Sequence, residues 1–510
     1  MNEEPKSVWH NPKNYLWGLA GLAVLIALFY AEEDWRGKHA WEKFKRAWEA
    51  KGERFDRAGV VPPPVREEEN FALTPIVASS YETFLDQNGQ AMQPRNTNVV
   101  NRLQMNIYGD RALLEYPTNG DWRMARTCRL SAWQQYYRAL AAKTNHYPIA
   151  REPQSPAADV LLALSRYAST IEDLRQASRL SHSRFPLEYD KDNPAAMLLP
   201  HLAALKNCAQ VLQLRAVAEL ENTQSDLALA DIKLVLRLTD SIRTEPILIS
   251  HLVRIAILNI ALQPVWEGLA GHRWSEAQLV ELDSELARLD FLSDYKLAMR
   301  GELVLFQGGI FEYLRRHPEQ LANLSGEGGF DTHFQTRICW LIPRGWFYQN
   351  QLHCARPMVE WYLPLADANQ RIFSPAATRR ADAAVEADVK HLNPYNITEK
   401  MFLPALGKAA RKFASGQAAA DLARTAIALE RYWLTHDAYP ASLDALAPRF
   451  ITLLPHDIIN GQPLHYRRTS DGQFILYSIG WDETDDDGEV GLNKNGAQDI
   501  STGDWVWRYP

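Results

Sequence analysis

Residues Tyr15 to Ala31 read YLWGLAGLAVLIALFYA, 17 residues without a charge. A helix rises about 1.5 Å per residue, so the run reaches ~26 Å, at the short end for the ~30 Å hydrocarbon core of a bilayer. Tyr15, Trp17 and Tyr30 stand at its edges, where amphipathic rings sit in a membrane. The run has no polar face with which to pack as an ordinary amphipathic helix. A cleaved signal peptide wants small residues one and three positions before the cut, and a cut after Ala31 places Phe29 at the third. Residues 15–31 are therefore read as a transmembrane signal anchor behind a short N-terminal tail at 1–14.

Orientation is read from basic residues. Lys6 and Lys13 precede the run, and Arg36, Lys38, Lys43, Lys45 and Arg46 come after it. Taken alone, two against five favours the carboxy side inside. That rule loses force when a long domain is translocated. The expected topology is amino terminus inside, one pass through a bacterial inner membrane, and the large C-terminal part in the periplasm.

The remainder of the chain has to fold beside this anchor. The chain has 510 residues, about three units at ~150 residues per domain. Apolar residues make up 46% and charged ones 23%, a balance that can bury a core. Net charge is -7, so no basic field exists to neutralise phosphates and nucleic acid is excluded as a partner. The four cysteines, Cys128, Cys208, Cys339 and Cys354, contain no CxxC pair and are too sparse for a disulfide framework. Cys339 and Cys354 would pair if the fold brought them together; otherwise all four are buried free thiols.

Residues 32–70 form a charged juxtamembrane helix and a linker. Trp41, Phe44 and Trp48 share one helical face over Trp35–Phe55, which suits a helix lying along the membrane surface or a solvated stalk. Gly59-Val-Val-Pro-Pro-Pro-Val65 then breaks it as a stiff extended segment. Residues 71–399 are expected to be a helical domain. Leu202, Leu205, Leu212, Ala216 and Leu220 share one stripe, Asn222–Asp226 is a turn, and Ala230, Leu234 and Leu238 mark the next helix. Thr244 is placed to cap a third helix with Pro246 in its first turn. Ser275 and Gln278 have capping-box spacing ahead of the seam Leu279, Leu282, Leu286 and Leu289. Residues 326–344 read as a Gly-rich loop, with helices expected from Trp346 past Tyr362 and over Asp382–His391. Helix, short turn, helix at this spacing resembles tetratricopeptide-type hairpins, which bind protein segments in a groove. An irregular helical bundle fits the same pattern.

Residues 400–510 read as an α+β head. A long helix is expected from about Pro404 to His436, then a turn capped by Ser442. Strands 464–468 and 473–479 alternate around Ser470-Asp-Gly472. The marks ALERYWLTHDAYPASLDAL, DIINGQPLHYRR and FILYSIGWD, then an acidic loop and a closing DISTGDWVW, resemble the globular half of type II secretion major pseudopilins. The resemblance covers about a fifth of the chain, from roughly Asp421 onward. It implies a calcium site in the last loop, with Asp482 and Asp499 at the matching positions. Asp485, Asp486 and Asp487 lie between them and have no one-to-one match. From Asp482 to Glu489 there are six acids and no base, a crowding that a cation would relieve. The loop is not an EF-hand, because that register puts Lys494 at the twelfth position. A solvated acidic loop is the competing reading. Polymerisation does not carry over from pilins: the helix before this head carries Lys408, Arg411, Lys412 and Arg424, and the apolar run lies far upstream. The order of short anchor, helical middle and this tail resembles single-span membrane proteins of the Verrucomicrobia and Planctomycetes type.

No HExxH, GxSxG or Walker A run is present, nor a GxGxxG after a strand. Asp382, Glu386 and Asp388 with His391 place carboxylates near an imidazole, a pattern common on solvated helix faces. His353-Cys354 reads as a packed helix face. The expected function is a membrane-anchored envelope scaffold or protein-binding module with no catalytic residues, partnered by the membrane and other envelope proteins. Two alternatives stand beside it: a membrane-tethered hydrolase with its site in the helical domain, and a secretion-system accessory protein.

Overall fold

Helix α1 (Pro12–Glu49) runs 38 residues without a break, through the apolar run and on into the folded body. The computed structural model describes residues 12–81, 83–85, 92–94, 102–108, 116–144, 146–321, 339–391 and 393–510. Most of the expected tail at 1–14 and most of the loop expected over 326–344 lie outside them. Tyr15 to Phe29 are exposed along α1, whereas Trp41 and Phe44 are buried. Phe55 folds back to place its ring 5.8 Å from Trp41 and 6.0 Å from Phe44. These rings therefore join the core of the body instead of lying on a membrane surface or a stalk.

The chain is mainly helical, with a small sheet region at its C-terminal end. After the single turn α2 (Pro75–Ala78) and the short pair β1 (Thr83–Leu85) and β2 (Met92–Pro94) come α3 (Leu130–Thr144), α4 (Pro156–Leu164) and α5 (Ala168–Ala177). Helices α6 (Pro200–Glu221), α7 (Ser225–Ser241) and α8 (Leu248–Ala270) come next and pack on one another. Among the described residues two helices, α1 and α8, are long and apolar enough to cross a bilayer, with mean hydropathy 1.7 and 1.6 over their best windows. Only the window in α1 is unburied. Most of that in α8 lies inside the body, and α8 carries buried Ser250, His251 and Arg254 that a lipid-facing helix would not.

Helix α9 (Glu276–Leu286) opens with the expected capping box: Ser275 Oγ accepts from Gln278 N–H and Gln278 Oε1 accepts from Ser275 N–H. Thr244 does not cap α8. That helix starts later, at Leu248, after Ile247, whose backbone is extended. The carbonyl of Pro246 instead lies against α10 (Phe291–Gly301), where a Cβ on Gly301 would sit 1.7 Å from it. Helix α10 passes through the π turn Glu302–Gln307 into α11 (Gly308–Arg316). Beyond residue 338, α12 (Arg344–Pro357) continues into a second π turn, Met358–Tyr362. The two-residue strands β3 (Ala366–Asp367) and β4 (Ile372–Phe373), helix α13 (Pro375–Val389) and the turn α14 (Glu399–Phe402) lead to α15 (Leu406–His436).

Helix α15 is the spine between the two ends of the fold. It packs on α8, α9 and α10, and also against strands of the head. Strands β5 (His465–Arg468), β6 (Phe474–Ser478) and β9 (Trp505–Arg508) form an antiparallel sheet in the order β5-β6-β9, with Tyr466 opposite Leu476 and Leu476 opposite Trp507. Strands β7 (Val490–Leu492) and β8 (Gln498–Gly503) pair separately. The turn Leu443–Leu446 forms, but Ser442 makes no capping bond with its side chain. All four cysteines are buried and outside any disulfide, so Cys339 and Cys354 do not pair.

The last strand seats the head on the helices. Trp507 is fully buried and tilts against Trp122 with ring centres 5.1 Å apart. Trp266 of α8 donates its indole N–H to the Arg508 carbonyl at 3.0 Å. Buried side chains of the helices and of the sheet thus form one continuous cluster. Trp507→Ala should cost about 3–5 kcal/mol in chemical denaturation, as for other buried tryptophans. A loss near zero would mean that the sheet is not seated on the helices as described.

Candidate functional site

The first candidate lies where α1 leaves its apolar run. Tyr30 donates its hydroxyl proton to the Leu341 carbonyl. Asp34 Oδ1 accepts from the Gly345 N–H at 2.7 Å. That amide is in the first turn of α12 and has no acceptor in its own helix, so the carboxylate of one helix caps the other. Glu33 is buried and accepts from Trp346 Nε1 at 2.8 Å and from the Tyr395 hydroxyl at 3.3 Å. Arg36, one helical turn on, pairs with the same carboxylate and donates to the Tyr395 oxygen at 2.7 Å. Burial pulls the Glu33 pKa upward, but hydrogen bonds from Arg36, Trp346 and Tyr395 outweigh it and hold the carboxyl below its ordinary value.

Two glycines let the helix backbones touch. A Cβ on Gly345 would lie 1.9 Å from the Glu33 carbonyl oxygen, and one on Gly37 would lie 2.2 Å from the Gly345 oxygen. Any side chain at either position pushes α1 and α12 apart. The sequence alone offered only a weak signal for this node: two charges immediately after an apolar run, with partners some 310 residues away.

The second candidate is the acidic loop, whose carboxylates bind backbone separately. Asp482 Oδ2 accepts from the Gly503 N–H at 2.8 Å and ties the loop to the end of β8. Asp485 Oδ1 accepts from Tyr477 and from the Asp487 N–H, each at 3.0 Å, and Oδ2 lies 3.2 Å from His465 Nδ1. Asp499 accepts from the Ser501 N–H at 2.9 Å. Asp486 and Asp487 are exposed. Among the described residues no three His, Cys, Asp or Glu side chains are placed to share one ion.

Asp504, outside the acidic run, is the unusual group here. It is fully buried, and its Oδ2 accepts from Gly488 N–H at 2.7 Å and Asp486 N–H at 3.1 Å. Its Oδ1 is buried without a partner. Burial above all, with Asp485 and Asp486 nearby, pushes this carboxyl up to about 7, against the pull of the two amides.

A cavity of 620 Å³ in the helical part is lined by Cys128, Ser131, Glu267 and Arg273 among others. Its charged groups Glu267 and Arg273 are already committed. Glu267 accepts from Cys128 N–H at 2.9 Å and Gln263 at 2.8 Å, and Arg273 donates to the Leu220 carbonyl at 2.6 Å and to Glu221. Burial, aided by Glu267, drives the Cys128 thiol well above its ordinary pKa, which leaves it protonated and a poor nucleophile. Asp382 accepts from Tyr362 at 2.7 Å and Glu386 pairs with Lys390, so the carboxylates of α13 do not converge on His391.

No family model, no curated protein and no solved structure matches the chain.

Proposed function

We propose that this chain is a membrane-anchored envelope protein of non-enzymatic type, a scaffold or protein-binding module held flush against the bilayer by α1. The observation that carries the reading is the Glu33–Arg36–Trp346–Tyr395 node, which fixes the helical body to the anchor helix within a turn of its apolar run. An enzyme tethered for access to substrate has no need of such rigidity. A scaffold that presents a surface at a set height does. The committed polar groups around Cys128 favour this over a hydrolase in the helical part. The likeness of the head to pseudopilins is supported by a long helix, α15, followed by the β5–β6 hairpin. On that likeness rests the reading as a secretion-system accessory, while the periplasmic placement of the body rests on the orientation of α1 with its amino terminus inside.

Gly345→Val tests the anchoring. The variant should remain in membranes after an alkaline wash, but α1 between Glu33 and Glu49 should become open to protease. Release of the parent chain by the wash would refute the anchor. An unchanged cleavage pattern in the variant would refute the rigid junction.

A second reading, a cation drawn into the head loop, is favoured by the unpartnered Asp504 oxygen. Its folded pKa, about 7, lies above the ordinary 3.8. The folded state therefore binds the extra proton between these values, and this contribution to stability is complete below the lower one and lost as pH rises through the upper. Asp504→Asn keeps an accepting oxygen for both amides and removes the charge. In chelator at alkaline pH the full-length variant should be more stable than the parent by about 1 kcal/mol, a gap that closes on acidification. Calcium should raise the melting temperature of the parent but not of the variant. A parent indifferent to calcium would leave the loop as a solvated acidic segment.

A further inference from the structure

The body meets α1 at the end of the apolar run, not beyond it. Tyr30 is one residue from that end, and its hydroxyl bonds the carbonyl of Leu341. A run of ~26 Å has no length to spare in a ~30 Å hydrocarbon core, so Tyr30 must sit at the lipid–water boundary. Whatever touches Tyr30 sits there too. On the body, Trp340 is 61% exposed and Leu341 67% exposed, and Ile397 and Met401 nearby are 51% and 43% exposed. Large apolar side chains grouped in this way are costly in water and favourable in a bilayer interface. Arg344, three residues on from Leu341, and Lys400, next to Met401 in the chain, are exposed and would meet anionic headgroups at such a boundary.

Between α12 and the 393–398 segment lies a pocket of 360 Å³, lined by Ile342, Trp346, Phe347, Pro394 and Ile397 with Asn350 and Thr398 in the wall. The polar wall residues turn their hydrogen-bonding atoms to each other. Asn350 donates to the Trp346 and Pro394 carbonyls at 2.9 and 2.7 Å and accepts from Thr398 N–H and Oγ1 at 3.1 Å. The surface facing the pocket is therefore hydrocarbon, and the site offers nothing to a polar ligand. Trp346 belongs both to the pocket and to the Glu33 node, so the pocket opens beside the anchor helix.

We propose that this face of the body is seated in the headgroup–acyl boundary of the bilayer that α1 crosses, and that the pocket takes an acyl chain of a membrane lipid. The proposal rests on the reading of α1 as a span.

The test uses the full chain in nanodiscs of phosphatidylcholine and phosphatidylglycerol. The native cysteines are buried, so a fluorophore can be placed on Leu341→Cys, on Leu25→Cys within the run, or on Leu453→Cys, an exposed site on the head. Lipids carrying a nitroxide near the top of the acyl chain should quench the labels at 341 and 25 by roughly twofold or more and leave that at 453 bright, as expected for a side chain buried at the acyl boundary. A label at 341 that stays bright while that at 25 is quenched overturns the seated face and spares the anchor. Bright labels at both overturn the anchor and this proposal with it. A lipid with a photoreactive group in its acyl chain should also crosslink to residues 342–350; adducts confined to α1 would overturn the pocket's occupant.

Discussion

A buried carboxylate placed just past an apolar run long enough to cross a membrane is the constraint on which this architecture turns. Glu33 is only 5% exposed, and a charge so placed is tolerated only when it is fully paired. The partners come from three directions: Arg36 on its own helix, Trp346 on α12 and Tyr395 beyond α13. Satisfying them fixes the rotation of α1, the first turn of α12 and the 393–398 segment together. Removal of any one partner leaves a buried charge short of a bond, and so the junction behaves as a unit.

The same logic recurs inside the body. Asp231 is fully buried between Arg175 and Arg215, and Glu219 shares Arg215. Arg254 of α8 is fully buried and pairs with Asp294 of α10. His201 and Ser250 converge on buried Glu245, whose carbonyl meets His251. These groups knit α6, α7, α8 and α10 into one register, because a slipped packing would strand a charge. By residue type they resemble catalytic groups, and each is paired with at least one protein partner.

Much of this was legible in local sequence. The apolar run, the capping box at Ser275, the turn after α6, the length of α15 and the β5–β6 hairpin depend on neighbours a few residues apart, where period and turn chemistry speak directly. Several of the misses turn on a distant partner. Trp41 and Phe44 looked like surface anchors, but they are buried, with Phe55 folded back on both. Thr244 looked like a cap until the Pro246 carbonyl was taken up against Gly301. Of the aspartates of the acidic run, Asp485 and Asp499 accept from amides two residues on, whereas Asp482 reaches the distant Gly503 amide, a contact that no local pattern announces. The buried Asp504 sits between β8 and β9, where nothing local distinguishes a carboxylate with one unpartnered oxygen from a fully bonded one.

The central claim is that α1 is a single rigid element from the bilayer into the body. Amide hydrogen exchange of the full chain in nanodiscs tests it most directly, by comparing residues 33–49 with the core helix α8. Protection of 33–49 as strong as that of α8, together with slow exchange at Gly345, is the predicted result. Fast exchange over 33–49 while α8 stays protected would show a loosely tethered body and contradict the account.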